Sequence, residues 1–275
     1  MWGAHKALLF CEIPQGGRGK RRQRIDGMDV DWSTYGWLIG VVVVASACQN
    51  LTGFAFGLIF VGMAGALHLM PIADAANVAG LLSLVNGVVY LRSHPFQPRW
   101  DLLKPMLISS LLGVLGGLAL LHWLSGDLVN VLRKLLGVTI IACAVILLLQ
   151  KKQRETLSSP ASMWVAGGLS GILGGLFSTS GPPSVYHLYR QPLSPLLVRQ
   201  CLLVMFLTNT VLRLGIVIPS GGLNLPSLIT AAIAVPVVAG VTWLLVKFPP
   251  PLSTRALQWM VCTLLLVAGV SMLLA

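Results

Sequence analysis

The sequence predicts an all-α polytopic membrane protein with about eight apolar helical segments. Of the 275 residues, 56% are hydrophobic and only 10% are charged, whereas soluble domains carry about 25% charged residues. The apolar residues fall into runs long enough to cross a bilayer as helices. The basic residues behind the net charge of +11 lie mostly in short links between these runs. Membrane topology explains that placement better than nucleic-acid binding does, so we expect a lipid bilayer and no nucleic acid as partner.

The chain divides into a polar tail, two membrane halves and a link between them. Residues 1–34 form the tail, which is either a genuine cytoplasmic extension or a misassigned start, with translation beginning at Met28. Residues 35–150 and 163–275 form the first and second membrane repeat, and residues 151–162 form a basic link that we expect to be cytoplasmic. Each repeat contains four apolar runs. They cover about 35–70, 72–91, 102–124, 128–150, 163–189, 196–218, 225–246 and 256–275.

The first run of each repeat is predicted to be broken. Residues 35–70 would make a straight helix of roughly 54 Å, whereas the hydrocarbon core is about 30 Å thick. The polar residues Gln49, Asn50 and Thr52 interrupt this run beside glycines. The fifth run is interrupted over Ser178–Pro183, where two consecutive prolines are incompatible with a continuous helix. Such breaks at membrane depth occur only where they are buried in protein or line a water-filled cavity.

The positions of Lys and Arg favour broken runs that enter the membrane and return on the same side. If all eight runs cross, the links collect six basic residues on each side. If runs one and five instead return, the links 92–104, 150–162, 190–199 and 247–255 share one side, and the count becomes ten against two. Cytoplasmic links are the basic ones, so this arrangement orients the protein and inverts the second repeat. A helix that bends at the break but still crosses is the alternative.

Three further features concern individual runs. The second run of each repeat has a Leu-x-Asn-x-Val centre, which contains Asn86 in the first repeat and Asn209 in the second. The third run carries Gly113, Gly116 and Gly117, small residues of the kind that let membrane helices approach closely. The seventh run contains Pro236, which predicts a kink. The five cysteines have no C-x-x-C spacing, so no metal site or other cofactor is predicted.

The segment GGLSGILGGLFSTSGPPSVYHL, residues 167–188, resembles the second-half signature of the sulfite exporter TauE/SafE family. QNLTGFAFGLIF, residues 49–60, is similar to its first-half counterpart, and the resemblance covers about residues 35–275. It implies a multi-pass permease of the cell membrane, the inner membrane in a bacterium, that moves small sulfur-containing or organic anions such as sulfite or sulfonates. Where the family has glycines in these turns, this chain has Ala55 and Phe56, and Ser178 and Ser180, so its substrate can differ.

The predicted substrate site lies at the two breaks. A helix that starts after a break presents N–H groups and a positive dipole end to an anion; close packing of small residues is the alternative explanation. Asn86 and Asn209 bind substrate or join two helices, and Arg213 either grips an oxyanion or extends to the membrane interface. The predicted substrate-binding residues are Gln49, Asn50, Thr52, Asn86, Ser178, Thr179, Ser180, Gly181, Asn209 and Arg213.

The sequence therefore favours a secondary transporter that works by alternating access between two repeats. No Walker-type phosphate-binding motif is present, so we expect coupling to a proton or cation gradient, or none. A membrane assembly subunit that transports nothing is one alternative. An intramembrane serine hydrolase built on Ser180 is another, but no histidine follows His187 in the chain to act as its base. The prediction is that the protein is not an enzyme; the sequence gives no oligomeric state.

Overall fold

All regular structure in the described part of the chain is α-helical. The computed structural model describes residues 32–92, 99–124, 129–148, 153–248 and 254–274. The prediction for the tail, including Met28, therefore lies outside the described residues. The helices are α1 Trp32–Thr52, α2 Phe56–Ala66, α3 Ile72–Arg92, α4 Trp100–Leu124, α5 Val129–Leu148, α6 Pro160–Phe177, α7 Gly181–Tyr189, α8 Pro195–Val217, α9 Leu225–Lys247 and α10 Thr254–Leu274.

The length and composition of these helices confirm a multi-pass membrane protein. Within the described residues, six helices are long and apolar enough to cross a bilayer, namely α1, α3, α4, α6, α8 and α9. Two shorter apolar stretches, Phe56–Ala66 and Trp259–Leu274, accompany them. Pro236 lies inside α9, which continues through it from Leu225 to Lys247.

Both predicted breaks are present. The first run divides into α1 and α2, and the residues between them include Gly53 and Ala55, which have positive φ angles of 82° and 83°. The fifth run divides into α6 and α7, and α6 ends at Ser178 in the left-handed conformation. The predicted position of the second break needs one correction. Pro182 and Pro183 lie in the first turn of α7, where a proline costs no intrahelical hydrogen bond, so the irregular segment is Ser178–Ser180.

At the second break the chain turns back on itself. Ser184 of α7 donates two hydrogen bonds to Ser170 Oγ of α6. Its backbone N–H donates over 2.8 Å and its hydroxyl over 2.6 Å. In one continuous helix these two residues would be about 21 Å apart. The amide of Arg154, before α6, donates to the carbonyl of Arg190, after α7, at 2.8 Å. The α6–α7 pair therefore begins and ends at the same end of the bundle, which we call the basic end.

The α1–α2 pair begins and ends at the opposite end, which we call the far end. Tyr35, near the start of α1, lines one cavity together with Met70, which follows α2, and Pro226, in the first turn of α9. Asn77, near the start of α3, donates a 2.7 Å hydrogen bond to the carbonyl of Gly222, which follows α8. Helices α3 and α8 therefore run in opposite directions through the bundle.

Helices α4 and α6 make an exceptionally close contact through glycine. A Cβ atom at Gly117 would lie 2.2 Å from the carbonyl oxygen of Ile172, and one at Gly171 would lie 2.0 Å from that of Ser110. Gly113 meets α6 in the same way, as predicted from the small residues of the third run. Gly116 does not, because nothing lies within 4 Å of its Cβ position. Gly113 and Gly117 are four residues apart and share the face that meets α6, whereas Gly116 is rotated by about 100° from Gly117 and lies off that contact.

Candidate functional site

The two breaks meet in the interior of the bundle. A Cβ atom at Gly57, in the first turn of α2, would lie 3.0 Å from the carbonyl oxygen of Ser178 and 3.0 Å from Thr179 Cβ. A small cavity, the central cavity, lies at this meeting point. Its walls come from α1, both breaks, α2, α3 and α8: Gln49, Phe54, Ala55, Phe56, Gly57, Ser83, Ser178, Thr179, Ser180, Leu203, Phe206, Leu207 and Thr210. Four predicted site residues, Gln49 and Ser178 to Ser180, therefore share one cavity.

The central cavity is closed in this conformation. Its free volume is about 20 Å³, which is close to the minimum that holds one water molecule. A sulfite-sized anion does not fit without movement of the walls. Any ligand larger than water therefore requires the walls of the cavity to move apart.

Helix α2 supplies the anion-attracting end of the central cavity. The first turn of an α-helix leaves its N–H groups without intrahelical partners, and residue 55, which precedes α2, is an alanine without a side-chain cap. These amides and the positive end of the helix dipole favour an anion. Beside them lies Gln49, a buried side chain whose Oε1 has no hydrogen-bond partner among the described residues.

The start of α7 is poorer in amides than predicted. Pro182 and Pro183 occupy its first turn and carry no N–H group. The amide of Ser184 is already bonded to Ser170 Oγ. The proline pair that revealed the break thus removes donors from α7, and this half contributes hydroxyl groups instead. Gly181 itself packs against Phe54 and Leu58.

Asn209 holds one of these hydroxyl groups in place. Its Nδ2 donates to Ser180 Oγ at 2.9 Å, and its Oδ1 accepts from Ser110 Oγ at 2.9 Å. All three residues are buried. Asn209 does not line the central cavity, so it is a positioning residue for Ser180. Ser178 Oγ, by contrast, is buried and has no partner in the described part of the chain.

Three predicted site residues lie elsewhere in the first half of the chain. Thr52 Oγ1 lies 2.6 Å from the carbonyl oxygen of Cys48 and 2.9 Å from that of Phe54, so its single proton is shared between groups within the break itself. Asn50 Nδ2 donates to Thr242 Oγ1 of α9 at 3.1 Å, and Asn86 Nδ2 donates to Ser46 Oγ at 3.3 Å. These contacts join α1, α3 and α9. The amide of Asn50 thus bonds to α9 and not to the opposite broken helix.

Arg213 lies in a second cavity, between α3, α4 and α8 at the far end. The guanidinium donates from Nε to the carbonyl of Gly175 at 3.0 Å and from Nη1 to Asn77 Oδ1 at 2.8 Å. The side chain is only 1% exposed, so the alternative that it extends to the membrane interface was wrong. Arg213 lies near the end of the sixth apolar run, but its side chain is packed inside the bundle and does not reach its surface.

The sequence reasoning missed the residues that cap α1. Arg199 Nη2 donates to the carbonyl of Leu51, and Tyr189 Oη donates to that of Thr52 at 2.9 Å. Arg213 acts in the same way on Gly175 at the end of α6. Helix α8 thus places one arginine at the negative end of each broken helix, where positive charge is stabilising. Two arginines fourteen residues apart on one apolar run are the signal that could have revealed this.

The placement of histidine bears on the hydrolase alternative and on pH dependence. No histidine is among the described residues that line the central cavity, and Ser180 is bonded to the side-chain amide of Asn209 rather than to a base. His187 lies at the basic end beside Gln191. Burial, reinforced by the positive charges of Arg154 and Arg190, lowers the pKa of His187 below its ordinary value.

Comparisons with known proteins agree with the sequence-based resemblance. The sequence model of the family "Sulfite exporter TauE/SafE" matches residues 38–272. The chain is 32% identical over 226 residues to the probable sulfite/organosulfonate exporter TauE of Cupriavidus necator. The aligned region covers 82% of this chain and 88% of that protein. No solved structure matches the chain.

Proposed function

Because the chain belongs to the sulfite exporter TauE/SafE family and is therefore a transporter rather than an enzyme, we propose that it exports a small sulfite- or sulfonate-like anion. The export direction and the sulfur-containing class of substrate follow the description of the relative. Nothing in the chain provides a phosphate-binding motif for ATP, so the proposed mechanism is secondary transport. A proton or cation gradient would then drive it, or the anion would move down its own gradient.

The proposed substrate site is the central cavity. The observation that supports it most strongly is the convergence of both breaks on one buried polar space. There the uncapped start of α2 meets the hydroxyl of Ser178, a buried group that has no partner among the described residues and can donate a hydrogen bond to an anion. Leaving a buried polar atom unpaired costs about 1–3 kcal/mol. A bound anion would pair with the hydroxyl groups and amide donors, so it would recover part of that cost.

The proposed transport cycle moves two inverted halves relative to each other. Two observations support inversion: α1–α2 begins and ends at the far end, whereas α6–α7 begins and ends at the basic end. Each pair would then carry one wall of the central cavity. Separation of the pairs on one side and then on the other would expose the site alternately, and the present closed cavity would be an intermediate between the two open states.

The site proposal is tested by the flux of ³⁵S-labelled sulfite in proteoliposomes, with and without a pH gradient. Ser180→Ala removes a cavity hydroxyl that Asn209 positions, and a hydrogen bond to a charged group is worth about 1.5–3 kcal/mol. We expect a fall of roughly 10- to 150-fold in the substrate affinity obtained from flux.

Ser109→Ala is the matched control, because Ser109 is also buried but bonds only to the carbonyl of Met106 in its own helix. Equal flux in the folded Ser180→Ala variant and the control would place the substrate elsewhere. If the wild-type protein moves no labelled anion under either condition, the assembly-subunit alternative replaces transport.

A further inference from the structure

The cavity at Arg213 is separate from the central cavity and has a different character. It has a volume of about 490 Å³, far larger than the central cavity, and shares no lining residue with it. Most of its wall is apolar, including Leu115, Leu118 and Ile216. Its polar side chains are few: Asn77, His122, Arg213 and Ser220. We call it the outer cavity.

Arg213 gives the outer cavity an incompletely satisfied positive charge. Its two hydrogen-bond partners, the Gly175 carbonyl and the Asn77 amide, are both neutral. Its Nη2 is buried and has no partner among the described residues. A buried guanidinium is normally paired, and its planar fork matches the oxygens of a sulfonate, sulfite or phosphate group. The negative end of α6 compensates part of the charge but does not occupy Nη2.

The combination of one cation and an apolar wall identifies the class of ligand. A small hydrated oxyanion such as sulfite would use the arginine but not the apolar wall. An anion with an apolar chain would use both, because its oxygens would meet Arg213 while its chain buried apolar surface. Ligand sites of this kind are mostly apolar and contain a few polar groups that fix orientation.

We infer that the outer cavity is a second anion-binding site, which takes an oxyanion headgroup bearing an apolar chain, with Arg213 as its anchor. Two sources supply that chemistry: a free organosulfonate and the headgroup of an anionic lipid. This inference rests on the proposed function only for the class of anion. The inferred site lies at the far end of the bundle, and the end of α6 separates it from the central cavity.

Equilibrium binding tests the site without any requirement for transport. The probe is ³⁵S-labelled butane-1-sulfonate, added to the full-length protein in nanodiscs of neutral phosphatidylcholine. We expect saturable binding at one site per chain and at least tenfold weaker binding in Arg213→Gln. Arg199→Gln is the matched control, since Arg199 is also an α8 arginine that donates to a helix-terminal carbonyl. It should bind within twofold of wild type.

A second variant keeps the test valid if Arg213→Gln does not fold. Ala119→Trp fills the outer cavity without altering any partner of Arg213, and it should also weaken binding at least tenfold. Val138→Trp, on an exposed face of α5, is its control. Unchanged binding in folded Arg213→Gln or in Ala119→Trp, or no saturable binding by wild type, would overturn the inference.

The source of the ligand is resolved by changing the lipid. If phosphatidylglycerol in the nanodisc abolishes butanesulfonate binding, the occupant is a lipid headgroup; if binding persists, the occupant is a free anion. Both results support the anionic site. Saturable binding that Arg213→Gln weakens reports on the outer cavity and requires no transport. Binding without flux in wild type would therefore refute the proposed function and leave the outer site standing.

Discussion

Two neighbouring glycines of α4 predict opposite effects of the same substitution. In Gly117→Ala the new methyl group would lie 2.2 Å from the Ile172 carbonyl oxygen and 3.0 Å from Gly175 Cα. Both contacts are with backbone, so no side-chain rotation relieves them and the helices must separate by about 1 Å. Overpacking of this kind costs about 1–3 kcal/mol. In Gly116→Ala the methyl group meets nothing within 4 Å, and the gain in helix propensity is up to about 1 kcal/mol.

The two variants should therefore differ in stability by about 1–4 kcal/mol, with wild type at or between them. Thermal unfolding in detergent, followed by size-exclusion chromatography with fluorescence detection, measures the order of the midpoints. Gly117→Ala should unfold well below wild type, and Gly116→Ala at or above it. Equal midpoints for the two variants would show that α4 and α6 do not pack through these carbonyl contacts.

Three other predictions concern the site, the pH response and the topology. Asn209→Leu leaves the Ser180 hydroxyl without its donor, so it should cost about 1–3 kcal/mol in unfolding free energy and lower sulfite flux; stable protein with normal flux would contradict its positioning role. Folding lowers the pKa of His187 below its ordinary value of about 6.5. The neutral side chain therefore contributes fully to the unfolding free energy above about pH 6.5, and this contribution is lost as the pH falls. His187→Gln should therefore reduce the fall in melting temperature between pH 7 and pH 5, and an identical slope would refute this. Cysteines introduced at Glu155 and Ser220 should react with an impermeant maleimide from opposite sides of the membrane, whereas eight simple crossings would place both on one side.

The breaks could be predicted from sequence because polar and proline residues inside an apolar run are conspicuous. Gln49 and Thr52, and the prolines after Ser180, mark the two interruptions to within a few residues. The same prolines led to a wrong expectation about the amide donors at the start of α7. A proline pair looks like part of the break, but proline is well suited to the first turn of the next helix, so it removed the amides expected there.

Long-range pairing could not be predicted in the same way. Asn50 is separated by 192 residues from Thr242, to which its amide bonds, and nothing in either local sequence indicates the other. Arg213 shows the same limit. Its distance from the end of an apolar run indicates depth in a single helix, whereas its burial depends on α6 ending beside it. Only the packing of separate helices determines whether a polar residue faces substrate, another helix or lipid.

The most direct test of anion export is efflux from proteoliposomes that contain only the wild-type protein. Vesicles are loaded with ³⁵S-labelled sulfite, and the loss of label is compared with that from protein-free vesicles of the same lipid. The proposed function predicts faster, saturable efflux that excess unlabelled sulfite or sulfoacetate inhibits. Efflux no faster than from protein-free vesicles, with and without a pH gradient, would contradict it.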